Sequence, residues 1–202
     1  MARANASSLT PEAKFWHWFS THQALYHEGV DDPQRRDDLF EALTHRLQQV
    51  CPELTFEFSS LRPTGIREFA ISPDGIRAYF PAAERLAQAA PDLPGWQIYA
   101  FRQRVDGEGL RIQFGDTSVS YNDIFFRYAD EEDGIGVELY IRGYTPDNGP
   151  MQHAVFILLD TLLGEYDTAM RISWIDWYPL DETEQDHLAP FLHLRALIDA
   201  RK

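Results

Sequence analysis

The sequence predicts an α+β fold: a single domain over residues 10–202, behind a flexible tail at 1–9, with a mainly antiparallel sheet of about six or seven strands and helices packed on one face. Three observations carry this. Amphipathic helical patterns open the chain, the hydrophobic period drops to two from Leu54 onward, and the resulting element order reads ααββαβββ(β)αβα. With 202 residues, 44% of them hydrophobic and 13% aromatic, the chain can bury a sizeable core without metals or disulfides as staples.

Thr10-Pro11-Glu12 is a helix start: a hydroxyl cap, a proline at the first helical position and an acid at the positive end of the dipole. Phe15, Trp18, Phe19, His22, Leu25 and Tyr26 then line one face of a helix running to about Glu28, leaving Trp16 to one side, where it either covers a second element, the favoured reading, or marks a partner contact. Asp32-Pro33 repeats the start signal for a second helix, with Leu39, Phe40, Leu43, Leu47 and Val50 on its apolar face, and Pro52 lies just beyond its end. Leu54, Phe56 and Phe58 alternate with polar residues, and a run from Ile66 to Ile71 follows the Pro63-Thr64-Gly65 turn, which together read as a β-hairpin.

Pro81 to Ala90 reads as a short helix, and Trp96 to Arg102 as a central strand, apolar on both faces. Leu110 to Phe114 is a strand after the Asp106-Gly107-Glu108-Gly109 turn; Asp123 to Tyr128 and Ile135 to Tyr144 pair across the acidic loop at 130–134. Met151 to Leu163 is the most apolar helix, with Gly164 as its left-handed cap. A strand from Arg171 to Tyr178 follows, then a helix from Asp181 to Ala200 that Pro190 kinks or divides. Residues 54–102 and 123–178 each read strand, strand, helix, strand, which suggests a ββαβ pseudo-duplication without a residue-level repeat.

The net charge is −14, and residues 121–170 alone hold ten acids against two arginines. A surface of this sign repels polyanions, so nucleic acid and anionic membrane are not expected partners, whereas a basic protein is. Cys51 is the only cysteine and no apolar stretch is long enough for a membrane span, which places the expected protein in the cytoplasm. There is no phosphate-binding glycine loop of the Walker or dinucleotide kind and no nucleophile elbow. His17, His22 and His27 are five residues apart and turn away from one another on a helix, and the acidic run at 130–133 lacks the ligand spacing of a calcium loop. No cofactor or metal is expected, and the oligomeric state stays open.

The pattern with chemical content is on the strands, where charges sit among large aromatics. Period-two alternation puts Glu138, Tyr140 and Arg142 on one face, and Phe125 with Arg127 on one face of the neighbouring strand. Such a face can be a set of cross-strand ion pairs, a protein-binding surface anchored by arginine and tyrosine, or a cleft in which Glu57, Glu68 or Glu138 transfers protons beside an arginine.

Several segments resemble an uncharacterised bacterial domain family: Phe15 to Phe19, Glu68-Phe69-Ala70-Ile71-Ser72 with Asp74-Gly75, Gly95-Trp96 leading to Ala100-Phe101-Arg102, and Leu158-Leu159-Asp160 through Leu163-Gly164-Glu165-Tyr166. The resemblance implies a compact bacterial cytoplasmic domain and supplies no catalytic residues. The expected function is a non-enzymatic protein-binding or regulatory protein, of accessory or toxin-neutralising kind by analogy of charge, with Phe125, Arg127, Glu138, Tyr140 and Arg142 as its surface. The alternative is a small hydrolase or small-ligand binder that uses a carboxylate–arginine cleft on the sheet.

Overall fold

A computed structural model describes residues 9–107 and 109–201. The tail expected at 1–9 therefore lies, apart from Leu9, outside the described residues, as does Glu108 of the glycine-rich turn. The chain divides after Phe101 into two compact units.

In the first unit, α1 (Pro11–Gly29) and α2 (Pro33–Gln48) form the expected helical hairpin. Both caps are in place: the Thr10 hydroxyl accepts the Ala13 N–H at 3.2 Å, and the Asp32 carboxylate accepts the Gln34 N–H at 2.9 Å. Tyr26 ties the helices together by donating to the Leu39 carbonyl at 3.1 Å, and burial pushes its phenol up to about 12. The strands β1 (Thr55–Phe58) and β2 (Arg67–Ser72) pair antiparallel, and α3 (Phe80–Gln88) then returns the chain so that β3 (Trp96–Ala100) runs parallel to β2. Phe69, fully buried on β2, meets Phe15, Trp16, Phe19, Phe58 and Trp96 at ring distances of 4.9 to 6.4 Å. Trp16 is not to one side of the buried stripe but in it, beside Phe15 and Phe19, while Leu25 of the expected stripe is exposed; the Trp16 indole N–H also reaches a second element, donating to the Leu86 carbonyl of α3 at 2.7 Å. Arg67, two residues before Phe69, shares this inward face and is only 1% exposed.

The second unit begins with an isolated hairpin, β4 (Arg111–Phe114) and β5 (Thr117–Ser120). A longer hairpin follows, β6 (Ile124–Glu131) and β7 (Gly134–Ile141), and then the helices α4 (Gly149–Leu163) and α5 (Glu165–Arg171). They lead to β8 (Ile172–Pro179), parallel to β7, and the chain ends with a two-residue strand, β9 (Ala189–Pro190), beside β6, and α6 (His193–Asp199). Ile135, Val137, Leu139 and Ile141 of β7 join Ile124 and Phe126 of β6 in a core completed by α4 and α6. The other face of this sheet is left outward.

The mixed helix-and-strand class holds, but the single sheet of six or seven strands does not: the strands form sheets of three, two and four. The physical reason is local pairing. Each crossover helix brings the chain back parallel to the strand it has just left, so β3 completes the first sheet and β8 the third. The same scheme of antiparallel hairpin, helix and parallel third strand thus occurs in both units. β3 is an edge strand rather than a central one, and its last hydrogen bond to β2 is the Phe101 N–H on the Ile71 carbonyl. Phe101 then takes a φ of +72°, which turns the chain out of the sheet and is rare for a bulky residue; its ring is held 4.5 Å from Phe80.

Two short elements differ from expectation. β5 is four residues long and mostly polar, and α5 has no capping side chain and follows Gly164, whose φ of +80° and ψ of 149° break α4 rather than cap it in the αL region. Pro190 divides the last segment into a 3-10 turn at Gln185–His187, β9 and α6.

Candidate functional site

Register places the outward residues of the third sheet in rows. Across β8, β7 and β6 these are Trp174 opposite Gly136 and Ala129, Asp176 opposite Glu138 and Arg127, and Tyr178 opposite Tyr140 and Phe125. Four of the five residues expected from sequence therefore do gather. The ion pair that register would allow between Arg127 and Glu138 does not form; instead the Tyr140 hydroxyl donates to Glu138 at 2.8 Å while the Arg127 guanidinium lies 5.5 Å over the Tyr140 ring. Among the described residues Arg127 has no carboxylate partner. Burial, and after it the hydrogen bond to Glu138, holds the Tyr140 phenol above its ordinary value. Tyr178 stacks on Tyr140 at 5.2 Å.

Arg142 does not belong to this face. Its position has the parity of Glu138 and Tyr140, but β7 ends at Ile141, and the Arg142 guanidinium turns to Glu182, to Asp123 at 3.6 Å and to Gln185 at 3.2 Å. Reversing its charge would set a carboxylate between two others and disturb the turn, so Arg142 is not a clean probe of binding.

The residues that sequence reasoning missed are on β8. Trp174 and Tyr178 are 37% and 38% exposed, unusual for large aromatics on a regular strand, and Asp176 between them is exposed as well. Trp174 is nevertheless held in place. Its indole N–H donates to Glu131 at 2.8 Å, and its ring lies on Gly136, where a Cβ would come within 1.8 Å of the indole. Glycine is required here by close approach. Gly136→Val is expected to displace the indole and to cost about 1–3 kcal/mol, as overpacking does; a lower urea midpoint together with a moved Trp174 indole N–H resonance checks this.

Two further groups of charged residues bear on the enzymatic alternative. On the outward face of the first sheet, Glu68 pairs with Arg62 at 2.6 Å, and Tyr99 lies close enough that Glu68 helps raise its phenol, behind the larger effect of burial. In the second unit, residues 102–105 lie along the α4–α5 junction. Arg102 donates to Asp160 at 3.0 Å and through its backbone N–H to Glu165 at 3.1 Å; Arg104 reaches Leu163 O at 2.6 Å, Asp167 at 2.7 Å and Asp199 at 2.8 Å. Burial raises the Asp160 carboxyl above its ordinary value, and Arg102 opposes that rise only in part.

The Asp160 shift has a definite sign. A carboxyl that holds its proton more tightly when folded contributes most below about pH 4, and stability falls as pH rises towards the folded value. Asp160→Asn keeps an acceptor for Arg102 and removes that titration. Its stability relative to the parent is expected to improve from pH 4 to pH 7; urea unfolding in which the difference between the two stays constant or worsens over that range contradicts this.

Among the described residues, no three His, Cys, Asp or Glu side chains cluster as a metal ion would need, and no helix is long and apolar enough to cross a membrane. No family model matches the chain, and neither the curated proteins nor the solved structures searched give a match.

Proposed function

We propose that this chain is a non-enzymatic protein-binding module of a bacterial cytoplasm, accessory or toxin-neutralising in kind, and that the outward face of its third sheet receives a basic protein partner. One observation carries the reading: Trp174 on one side and the Tyr140–Tyr178 pair on the other flank the Glu138–Asp176 pair, on the face of the sheet turned away from the core. Tyrosine and tryptophan anchors are the side chains from which interfaces draw most of their energy. The surrounding charge supports a basic partner, since the second unit holds 19 acids against nine bases. The expectation of a single domain over residues 10–202 is part of this reading.

The test is affinity capture from the host lysate at two salt concentrations with three proteins: the parent, Asp176→Lys/Tyr178→Ala, and Asp37→Lys/Asp38→Lys, whose changes lie on exposed positions of α2. A stoichiometric protein retained by the parent and the α2 variant, released by salt and lost with the face variant is the expected result. Capture indifferent to the face variant contradicts the reading.

A second reading, a small hydrolase or ligand binder with a carboxylate–arginine cleft, is favoured by the Arg62–Glu68–Tyr99 group of the first sheet. A thermal-shift screen of metabolites that gives a stabilising ligand, with the shift lost in Glu68→Gln, would favour it over the first.

A further inference from the structure

We infer that β8 is an acceptor edge, onto which an extended basic segment of the partner adds as a fifth strand of the third sheet. The inference rests on the face proposed above and assigns its mode of recognition. β8 is the end strand in the order β8-β7-β6-β9. Pairing with β7 slips once, so that Ser173 is an extra residue between Ile172 and Trp174, and it is regular from Trp174 to Pro179. Among the described residues, no backbone hydrogen bond from 173–178 goes outside the sheet. Alternate N–H and C=O groups along this stretch therefore point away from β7 with no partner among the described residues, which is the arrangement that strand addition uses. The other end strands of the two larger sheets are shorter: four residues in β1, five in β3 and two in β9.

Charge selects the occupant. A strand added to β8 would lie about 4.8 Å away, with alternate side chains beside Trp174, Asp176 and Tyr178. On β8 and β7 the outward row at the middle of this stretch is Asp176 and Glu138, two acids side by side, and the only outward arginine on the three strands lies beyond them on β6, over Tyr140. An arginine or lysine at the matching position of the added strand meets Asp176 directly, and the neighbouring basic positions stack on Trp174 and Tyr178. A second copy of β8 pairing across this edge brings acid against acid near Asp176, so the same residue discourages self-association. An acidic or neutral strand has the backbone bonds but not the charge pairing.

The test uses acetylated, amidated eight-residue peptides in calorimetric titration at low salt: alternating arginine and valine, the same sequence N-methylated at every residue, and alternating glutamate and valine. The proteins are the parent, Asp176→Lys and Asp37→Lys, each checked for folding by circular dichroism. The inference expects the parent to bind the unmethylated basic peptide at least tenfold more tightly than either other peptide. It also expects Asp176→Lys to lose at least tenfold and Asp37→Lys to stay within twofold. Equal binding of the methylated and unmethylated basic peptides, still weakened by Asp176→Lys, overturns strand addition and leaves the face as the binding surface. No binding, or equal weakening by Asp176→Lys and Asp37→Lys, overturns both.

Discussion

Arg67→Ala is expected to cost about 3–5 kcal/mol, the largest single-residue loss in the first unit, because it empties a buried site and strands the groups its guanidinium holds. The guanidinium forks onto Asp31 at 2.5 and 3.2 Å and donates to the Ser59 carbonyl at 2.7 Å and to the His27 carbonyl, near the negative end of the α1 dipole, at 3.1 Å. These bonds fix the turn between α1 and α2 to the start of β2. The two partners are unequal: Arg67 is 1% exposed, while the Asp31 side chain is 59% exposed and regains water when the arginine is lost. The expected loss therefore lies in the two stranded carbonyls and the cavity, and Arg67→Met, which refills most of the volume, should recover roughly half of it. The hydrogen bond from Arg67, more than any other effect, holds the Asp31 carboxyl below its ordinary value. Its contribution is present above about pH 4 and is lost as pH falls through the folded value, so the gap between parent and Arg67→Ala narrows in acid. Urea unfolding at pH 7 and at pH 3 reads both effects; a loss below about 1 kcal/mol at pH 7 contradicts the assignment.

Glu165→Ala is the corresponding change in the second unit, with an expected cost of about 3 kcal/mol. Glu165 is fully buried and accepts the Arg102 backbone N–H, while the Glu165 N–H donates back to the Arg102 carbonyl at 3.0 Å. Truncation strands that N–H and takes a carboxylate from beside the Arg102 side chain, whose Nε is 3.9 Å from Glu165. Glu165→Gln, which keeps the acceptor, should lose less than half as much. The contrast with Asp160→Asn is the informative part. Both acids sit by Arg102, but one holds a backbone group in place and the other carries a charge that burial makes costly. If the two variants prove equally damaging, that division of roles is wrong.

The local elements were legible because their signals are local. Caps at Thr10 and Asp32, the period-two runs of β1, β2, β6 and β7, and Pro190 as a divider each depend on a few adjacent residues. Strand order is not local in this sense. Nothing in Trp96 to Ala100 distinguishes an edge strand from a central one, and β8 could not be joined to β7 before the crossover through α4 and α5 was known. The tight turn after Ile141 explains Arg142 in the same way: parity was right, but the strand stops one residue earlier. For Arg67, the signal was available. It shares parity with Phe69 and Ile71, the apolar face of β2, and a charge on an apolar face is one that the fold has to pair.

The segments quoted for the family resemblance mark packing in this structure. Phe15, Trp16, Phe19 and Phe69 form the aromatic core of the first unit, and Arg102 meets Asp160 and Glu165 of the second. The candidate face lies elsewhere, on outward positions of β6, β7 and β8, and three of its residues, Trp174, Asp176 and Tyr178, were visible as an alternating pattern with no face to assign them to.

The most direct measurement is an amide proton–nitrogen correlation spectrum of the labelled protein, titrated with the alternating arginine–valine peptide. Shifts concentrated at 174–178 on β8 and at Gly136, Glu138 and Tyr140 on β7, with the first unit unmoved, are the result expected of a binding face on the third sheet. Shifts spread over the acidic surface without focus, or centred on the first unit, would contradict it.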